Sequence, residues 1–289
     1  MVSFKSTGRS LAIIIGLFIV AFATNIIALL LPAPIRPLIS EFPAIVRLCL
    51  ELTISIVIAI TLFTLLNRYL LKNLLPSLLK APNIFNAKIA VVWSVFTGLL
   101  LIVVIMAFTI IGTVTVQSVG ETTLLLGLLN GFLFSLQPGI IEELTYRWFF
   151  YGTVKKKFGY RTAVIATGIG FALIHMNQVT SVADAGLLLL AAFAVSYLFI
   201  TIYEVTGTIW AGVVVHSLWD MFTQGRGVTL INAIEGKAGT EMHVIDIVAD
   251  HSNSLLSGGS FGVESSLITT AAYVLAAIAI QQIATQLRR

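Results

Sequence analysis

Residues 122–153 read TTLLLGLLNGFLFSLQPGIIEELTYRWFFYGT, an apolar run that contains two adjacent glutamates and an arginine. The run is longer than the ~20 residues that a helix needs to cross the hydrocarbon core of a bilayer. Pro138 lies near its middle and cannot donate a helix hydrogen bond, so we expect a kink or a break near Gln137. The stretch therefore predicts a membrane helix that is interrupted beside charged side chains.

Further apolar windows flank this run on both sides. They cover residues 11–31, 45–66, 89–112, 162–178, 186–204, 207–222 and 267–286. The composition agrees, because 58% of the residues are hydrophobic and only 10% are charged, whereas about 25% of the residues of a soluble domain are charged. The sequence predicts an all-α fold, a polytopic membrane helical bundle of about eight transmembrane helices that forms a single integral-membrane domain over residues 1–289.

Basic residues are clustered between the apolar windows. If the spans alternate in direction, one side of the membrane receives Lys5, Arg9, Arg68, Lys72, Lys80, Lys88, Lys155, Lys156, Lys157, Arg161, Arg288 and Arg289. The positive-inside tendency makes that side the cytoplasm, so we expect both termini there. Residues 223–266 are more polar and are expected to form an exterior loop or a small cap. The basic clusters form no continuous face, so the lipid bilayer is an expected partner and nucleic acid is not.

Ionisable side chains inside the apolar windows are rare, and each costs about 3 kcal/mol in the bilayer centre. Arg47 and Glu51 are four residues apart and are expected to pair with each other on one helix face. A second group comes from three different windows and consists of Glu142, Glu143, Arg147, His175, His216 and Asp220. Single residues of this kind are often packing or ion-pair residues, but several together indicate a site.

Helix geometry places this second group at a similar depth. At the rise of an α-helix, Glu142 and His175 each lie roughly 20 Å from the basic ends of their helices, and His216 lies roughly 14 Å from the start of its own. Chance placement would not favour such agreement. We therefore expect Glu142, His175 and His216 to line one cavity.

The two glutamates of the run are predicted to have different tasks. Glu143 and Arg147 are four residues apart, so Arg147 can neutralise Glu143 on a shared helix face. Glu142 projects about 100° away from Glu143 and can point toward another helix. A carboxylate in a poorly solvated cavity is suited to act as a general base for water.

The histidines complete the inventory of a hydrolase. His216 and Asp220 can bind a metal ion together, or Asp220 can orient the imidazole toward a developing oxyanion. His175 can be a metal ligand or a second group that positions the attacking water. One glutamate with two histidines is typical of metal-assisted or carboxylate-driven hydrolysis.

Two other patterns are expected to be structural. His243 and His251 have neither a cysteine nor a tight spacing beside them, and we interpret them as loop residues. Residues 258–262 read GGSFG but have no surrounding strand pattern, so we expect a flexible loop instead of a serine-nucleophile turn. The single cysteine, Cys49, excludes an intramolecular disulfide.

Three ordered motifs resemble the signatures of the CAAX protease and bacteriocin-processing family (CPBP, Abi-type). They are E-E-x-x-x-R at residues 142–147, F-x-x-x-H at residues 171–175 and H-x-x-x-(N/D) at residues 216–220, and they mark a motif core over residues 120–225. The resemblance implies an eight-helix intramembrane endopeptidase in the plasma membrane of a prokaryote. It also implies a catalytic cavity that opens toward the cytoplasm.

The resemblance also implies roles for the motif residues. Glu142 and His175 would activate water, His216 and Asp220 would support the oxyanion, and Glu143 and Arg147 would hold the first motif in place. Members are usually labelled metalloproteases, which implies one divalent ion, Zn²⁺ first, held by Glu142, His175 and His216 with Asp220; a metal-free glutamate mechanism stays open. Eukaryotic-type members have Asn where this chain has Asp220, and an aspartate favours a metal-binding or imidazole-orienting role.

Several functions stay open at this level. The substrate of an endopeptidase would be a membrane-anchored protein or peptide, such as a prenylated CAAX-type protein, a bacteriocin precursor or a membrane regulator. The alternative is a non-catalytic membrane scaffold or a bacteriocin self-immunity protein of the same fold. A proton-coupled transporter is less favoured because no paired repeat is visible. Motifs of other intramembrane protease classes, such as H-E-x-x-H, are absent from the sequence.

Overall fold

Helices dominate the computed structural model, which describes residues 4–78, 86–110, 114–118, 124–223, 229–232, 245–249 and 253–287. The helices are α1 (Phe4–Leu30), α2 (Ala44–Leu65), α3 (Ala87–Ile110), α4 (Leu124–Glu142), α5 (Gly152–Phe158), α6 (Tyr160–His175), α7 (Val182–Thr206), α8 (Ile209–Thr223), α9 (Ser254–Ser257) and α10 (Leu267–Leu287). Short 3₁₀ turns cover Ala33–Ile39, Met176–Gln178 and Val263–Ser265, and π-helical turns cover Leu66–Leu70 and Glu143–Tyr151. The predicted all-α fold class is confirmed.

A small sheet accompanies the helices. Its strands are β1 (Val114–Ser118), β2 (Thr229–Asn232) and β3 (Ile245–Ala249), in the order β1-β3-β2. β1 pairs with β3 antiparallel and β2 pairs with β3 in parallel. β1 follows α3 in the chain, and β2 and β3 lie between α8 and α9, so the strands connect helices and interrupt none of them.

Five segments in the described part of the chain are long and apolar enough to cross a membrane: Gly8–Ile39, Ala44–Leu70, Ala87–Ile110, Val182–Thr206 and Leu267–Leu287. Large apolar side chains on their outer faces are exposed, as on α3 at Val92 and Leu99. Such faces are typical of helices that contact lipid. These helices indicate an integral membrane protein. The other predicted spans correspond to the shorter α6 and α8 and to α4 with its π-helical continuation, which carry the polar motifs.

One end of the bundle carries Lys155, Lys156, Lys157 and Arg161, around the junction of α5 and α6, and we call it the basic end. Lys155 forms an ion pair with Glu204 in the last turn of α7, so α7 ends here. A left-handed residue, Gly207, follows at φ 69°, and α8 then starts and runs away from the basic end. α6 and α8 thus both point toward the opposite end of the bundle.

The first helix starts at the basic end. In α1, Asn25 Nδ2 donates a hydrogen bond to Thr145 Oγ1 at 3.4 Å. Nearer the N-terminus, Phe18 packs on Phe150 with ring centroids 5.7 Å apart. Phe150 is nearer than Thr145 to the basic end along the chain. Phe18 therefore lies nearer the basic end than Asn25, and α1 runs away from that end.

The last helix ends at the basic end. In α10, Gln281 Nε2 donates hydrogen bonds to Tyr197 and Thr201 in the second half of α7. α10 therefore runs in the same direction as α7 and finishes near its C-terminus. An even number of membrane crossings requires the first helix to start, and the last helix to finish, at the same end of the bundle, as they do here. The side of the membrane that this end faces stays a prediction, and Lys80, Arg288 and Arg289 lie outside the described residues.

α4 is not interrupted at Pro138, so there is no break near Gln137, and a kink there stays a prediction. The α-helix continues to Glu142, and the winding widens to a π-helix only from Glu143. Gln137 Nε2 donates a hydrogen bond to Ser55 Oγ on α2 at 2.7 Å, which anchors this turn. A membrane helix tolerates proline where neighbouring helices enclose the freed backbone group.

The expected pairing of Arg47 with Glu51 is also wrong. Glu51 instead pairs with Arg36 at 3.0 Å, because the 3₁₀ turn after α1 brings Arg36 alongside α2. Arg47 Nη1 donates to the backbone carbonyl of Ser40 at 2.7 Å. A cation outside the helix therefore replaces the partner that helix spacing predicts.

Candidate active site

A cavity of about 200 Å³ lies among α4, α6, α7, α8 and α10. Glu142, His175, His216 and Asp220 all line it. The structure therefore brings together, in one cavity, the three side chains that the sequence places at similar depth, and Asp220 joins them there. Glu143 and Arg147 are not part of the lining and lie behind it.

Close packing of α4 against α8 fixes the relative position of two motifs. A Cβ atom at Gly139 would lie 2.3 Å from Ser217 Oγ, so only a glycine lets the two helices approach this far. Gly139 precedes the two glutamates on α4 by one turn, and Ser217 follows His216 on α8. The approach brings the imidazole of His216 to the carboxylates of the first motif.

His216 is held by the second glutamate of the pair. Its Nδ1 lies 3.1 Å from Glu143 Oε1, and since a carboxylate accepts, Nδ1–H is the donor. Its Nε2 faces the cavity, 3.8 Å from Glu142 Oε2 and 3.5 Å from Asp220 Oδ2. Glu143 thus orients the imidazole, whereas the sequence suggested Asp220 for that task. Asp220 lies on the cavity side of the ring.

The carboxylate of Glu142 is available for chemistry. Its Oε2 atom is buried and has no hydrogen-bond partner among the described residues. The side chain keeps 18% of its exposure, so water in the cavity can reach it. An unsatisfied buried acceptor is costly unless water or a ligand fills the position.

The predicted ion pair of Glu143 and Arg147 forms in full burial. Arg147 Nη1 lies 3.0 Å from Glu143 Oε1, and the two side chains are 0% and 1% exposed. The guanidinium carbon of Arg147 lies 4.6 Å from the ring centroid of Phe199 and 5.2 Å from that of Phe171. Both rings line the cavity, so Arg147 lies directly beneath its floor.

His175 is the last residue of α6 and presents one ring nitrogen to the cavity. Its Nδ1 lies 2.9 Å from the backbone carbonyl of Phe171, which only accepts, so Nδ1–H donates and Nε2 is the acceptor of the neutral ring. The imidazole packs against Phe171 at 4.6 Å and against the edge of Phe261 at 5.6 Å between centroids. An imidazole fixed in this tautomer can accept a hydrogen bond from water.

Residues 253–265, which we call the cap segment, contribute cavity residues that the sequence did not indicate. Phe261 and Glu264 both line the cavity. Glu264 Oε1 accepts hydrogen bonds from Trp219 Nε1 at 3.0 Å and from Thr223 Oγ1 at 2.6 Å. These donors flank Asp220 on α8. The available signal was that Glu264 is an ionisable residue just before a predicted span. It was missed because residues 223–266 were assigned to an exterior loop or small cap.

The cap segment is anchored to α7, and residues 258–262 form a loop within it. Asp184 Oδ2 accepts hydrogen bonds from Ser260 Oγ at 3.0 Å and from Thr180 Oγ1 at 3.3 Å. Gly259 packs so tightly that a Cβ atom there would lie 2.0 Å from Asp184 Oδ1. Asp184 in the first turn of α7 thus holds the segment over the cavity.

The side chains present do not fit a metal ion in this arrangement. Within the described part of the chain, no three His, Cys, Asp or Glu side chains are grouped so that they could hold one. This applies to the expected set of Glu142, His175 and His216 with Asp220. The metal ion of the sequence analysis stays a prediction. His243 and His251 lie outside the described residues.

Comparisons with known proteins agree with the geometry. The family model described as type II CAAX prenyl endopeptidase Rce1-like matches residues 122–222, which carry all three motifs. This match confirms the resemblance to CAAX proteases for that part of the chain and supports a membrane protease function. Neither the curated proteins nor the solved structures contain a match to the chain.

Proposed function

We propose that this chain is an intramembrane endopeptidase that hydrolyses a peptide bond of a membrane-anchored protein or peptide precursor. The observation that carries the proposal is the carboxylate of Glu142, which has a buried oxygen without a hydrogen-bond partner among the described residues, in a cavity shared with two histidines. The match of residues 122–222 to a family of CAAX endopeptidases supports the same reaction class.

Glu142 and His175 activate the attacking water. The water donates one hydrogen bond to Glu142 Oε2 and the other to the unprotonated Nε2 of His175. As the water oxygen attacks the carbonyl carbon of the substrate, its proton passes to Glu142. Glu142 then protonates the leaving nitrogen when the carbon–nitrogen bond breaks, and this returns the carboxylate to its starting state.

His216 stabilises the oxyanion that forms on the substrate. Its Nδ1–H is already committed to Glu143, so a second proton on Nε2 gives an imidazolium whose remaining N–H points into the cavity. An N–H donor of this kind stabilises an oxyanion most strongly where the negative charge develops away from bulk water. Asp220, 3.5 Å from Nε2, holds this proton in place before the substrate arrives.

Glu143 and Arg147 keep His216 in position without touching the substrate. The charge of Arg147 offsets that of Glu143, which is buried between α4 and α8. We place the chain as a multi-pass protein in a prokaryotic plasma membrane, with both termini cytoplasmic. The substrate class at this level includes prenylated CAAX-type proteins, bacteriocin precursors and membrane regulators.

A comparison of new protein termini in membranes tests the proposal. Cells that express the wild-type chain are compared with cells that express Glu142→Ala at equal abundance. We expect a defined set of termini to disappear with Glu142→Ala, and the missing cuts then identify the substrates. Glu41→Ala, which removes an exposed carboxylate outside the cavity, is the matched control and should leave the set unchanged.

The same comparison distinguishes an enzyme from a scaffold. A non-catalytic scaffold or self-immunity protein needs the shape of the cavity but not the carboxylate of Glu142. Unchanged termini in the Glu142→Ala cells, together with an unchanged cellular phenotype, would contradict the endopeptidase and favour the scaffold.

A further inference from the structure

The floor of the catalytic cavity is closed toward the basic end. The π-helical turn Glu143–Tyr151 lies between the cavity and the basic end, and every one of its residues is buried. The four largest side chains that are fully buried in the described part of the chain all belong to this turn: Trp148, Arg147, Tyr146 and Tyr151. None of the four lines the cavity. A layer of large, fully buried side chains offers no path for a peptide.

At the opposite end of the cavity, the residues that line it are exposed or half-buried. Gln178, in the 3₁₀ turn after α6, lines the cavity and is exposed to the outside of the protein. Phe261 and Glu264 of the cap segment also line the cavity and are half-buried. At this end, the same side chains therefore touch both the cavity and the surroundings.

The direction of the helices ties these two ends to the two sides of the membrane. α6 begins at the basic end and finishes at His175, and α8 begins there and finishes just after Asp220. The basic end carries the lysines and arginines around residues 155–161, which the positive-inside tendency places in the cytoplasm. The end of the cavity with Gln178 then lies on the side away from the cytoplasm.

We infer that substrates enter the catalytic cavity from the non-cytoplasmic side, past Gln178 and the cap segment. The preferred substrate is accordingly a membrane-anchored protein whose scissile bond lies in the outer half of the bilayer or at its exterior surface. A prenylated carboxyl terminus in the cytoplasm does not meet this condition. The expectation of a cavity open toward the cytoplasm, which came from the family resemblance, is replaced by this inference.

The inference about substrates rests on the proposed endopeptidase function, but the inference about the membrane side does not. Thiol labelling separates the two, because it needs no activity. Cys49 is the single cysteine of the chain, so Cys49→Ala gives a background without thiols. Into it we introduce Gln178→Cys at the cavity mouth or Lys156→Cys at the exposed surface of the basic end, each in a separate chain.

Intact cells are treated with a membrane-impermeant maleimide before or after permeabilisation. We expect Gln178→Cys to be labelled in intact cells as fully as after permeabilisation, and Lys156→Cys to be labelled only after it. Val182→Cys, at a position 91% exposed in the first turn of α7, is a second reporter of the same end in case Gln178→Cys is poorly folded. Labelling of Gln178→Cys and Val182→Cys only after permeabilisation overturns the inference.

The substrate class is tested by where the cuts fall. Termini that depend on Glu142 should map to the outer half of membrane segments or to exterior sequence next to them. Glu142-dependent cuts at cytoplasmic carboxyl termini would overturn the inferred substrate class even if the labelling is as expected. If no terminus depends on Glu142, the proposed function fails, whereas the labelling result still decides the side of the cavity.

Discussion

Gly212 on α8 lies against the carboxylate of Glu143 so closely that a Cβ atom there would come within 2.5 Å of Glu143 Oε2. The absent side chain at position 212 is therefore what makes room for the group that orients His216. We expect Gly212→Ala to displace the Glu143 carboxylate and to reduce Glu142-dependent cleavage by about a hundredfold, since a misplacement near 1 Å can cost that much. The readout is the yield of Glu142-dependent termini at matched protein abundance.

Gly98→Ala is the control for that substitution. Gly98 also lies inside a membrane helix, and no described residue approaches the position of its Cβ within 4 Å. Both changes add the same methyl group and the same helix propensity, but only one meets a carboxylate. Equal activity of the two variants would show that the contact between Gly212 and Glu143 does not position the site.

Breaking the buried ion pair should destabilise the protein far more than breaking an exposed one. Glu143→Gln leaves Arg147 buried and without its counter-charge, which typically costs 3–5 kcal/mol. Glu51→Gln breaks the pair with Arg36, whose side chain is 60% exposed, and about 1 kcal/mol or less is expected there. Thermal unfolding midpoints of the detergent-solubilised variants give the comparison. Similar shifts for both would contradict a structural role for the buried pair.

The anchor of the cap segment should be removable without loss of the fold. Asp184→Ala removes the acceptor of the hydrogen bonds from Ser260 and Thr180, each worth about 1.5–3 kcal/mol because the acceptor is charged. We expect backbone amides of residues 253–265 to exchange with deuterium faster, while those of α10 stay as slow as in the wild type. Glu41→Ala removes an exposed carboxylate and should leave both rates unchanged. Unaltered exchange in Asp184→Ala would mean that other contacts hold the segment.

Chelation tests the predicted metal ion. The described acidic and histidine side chains are not grouped for metal binding, so we expect Glu142-dependent cleavage to survive dialysis of the purified protein against a strong zinc chelator. Elemental analysis of the same protein gives a readout that does not need a substrate. One equivalent of zinc in the wild type that is lost in His216→Ala would contradict the metal-free mechanism.

Much of the fold follows from local patterns in the sequence. The predicted windows coincide with helices because apolar runs of about 20 residues leave a backbone in lipid few alternatives. The convergence of Glu142, His175 and His216 also followed from local counting, since the helical rise fixes depth along each helix. Depth says nothing about rotation, however, and this is why the contact between His216 Nδ1 and Glu143 was not predicted.

Contacts between distant segments were beyond such patterns. Helix spacing predicted that Glu51 pairs with Arg47, but a turn outside the helix supplies Arg36. Glu264 belongs to the cavity only because the cap segment folds back over α8, and no periodicity encodes that return. Pro138 was expected to break its helix, yet the bundle encloses the turn and the change in winding comes at Glu143.

The π-helical turn Glu143–Tyr151 also determines how the chain responds to the loss of one residue. A π-helical turn accommodates more residues than an α-helical turn, so deleting one residue from it lets the segment relax to ordinary α-helical winding. The tighter winding offsets the rotation of about 100° that one residue contributes in an α-helix, so Glu142 and α4 would keep their direction relative to α5. The same deletion from the regular helices α6 or α8 has no wide turn to offset it and would rotate one part of the helix against the other. A frame-preserving loss of one codon after Arg147 in the π-helical turn should therefore be better tolerated than one in the helices that hold His175 and His216.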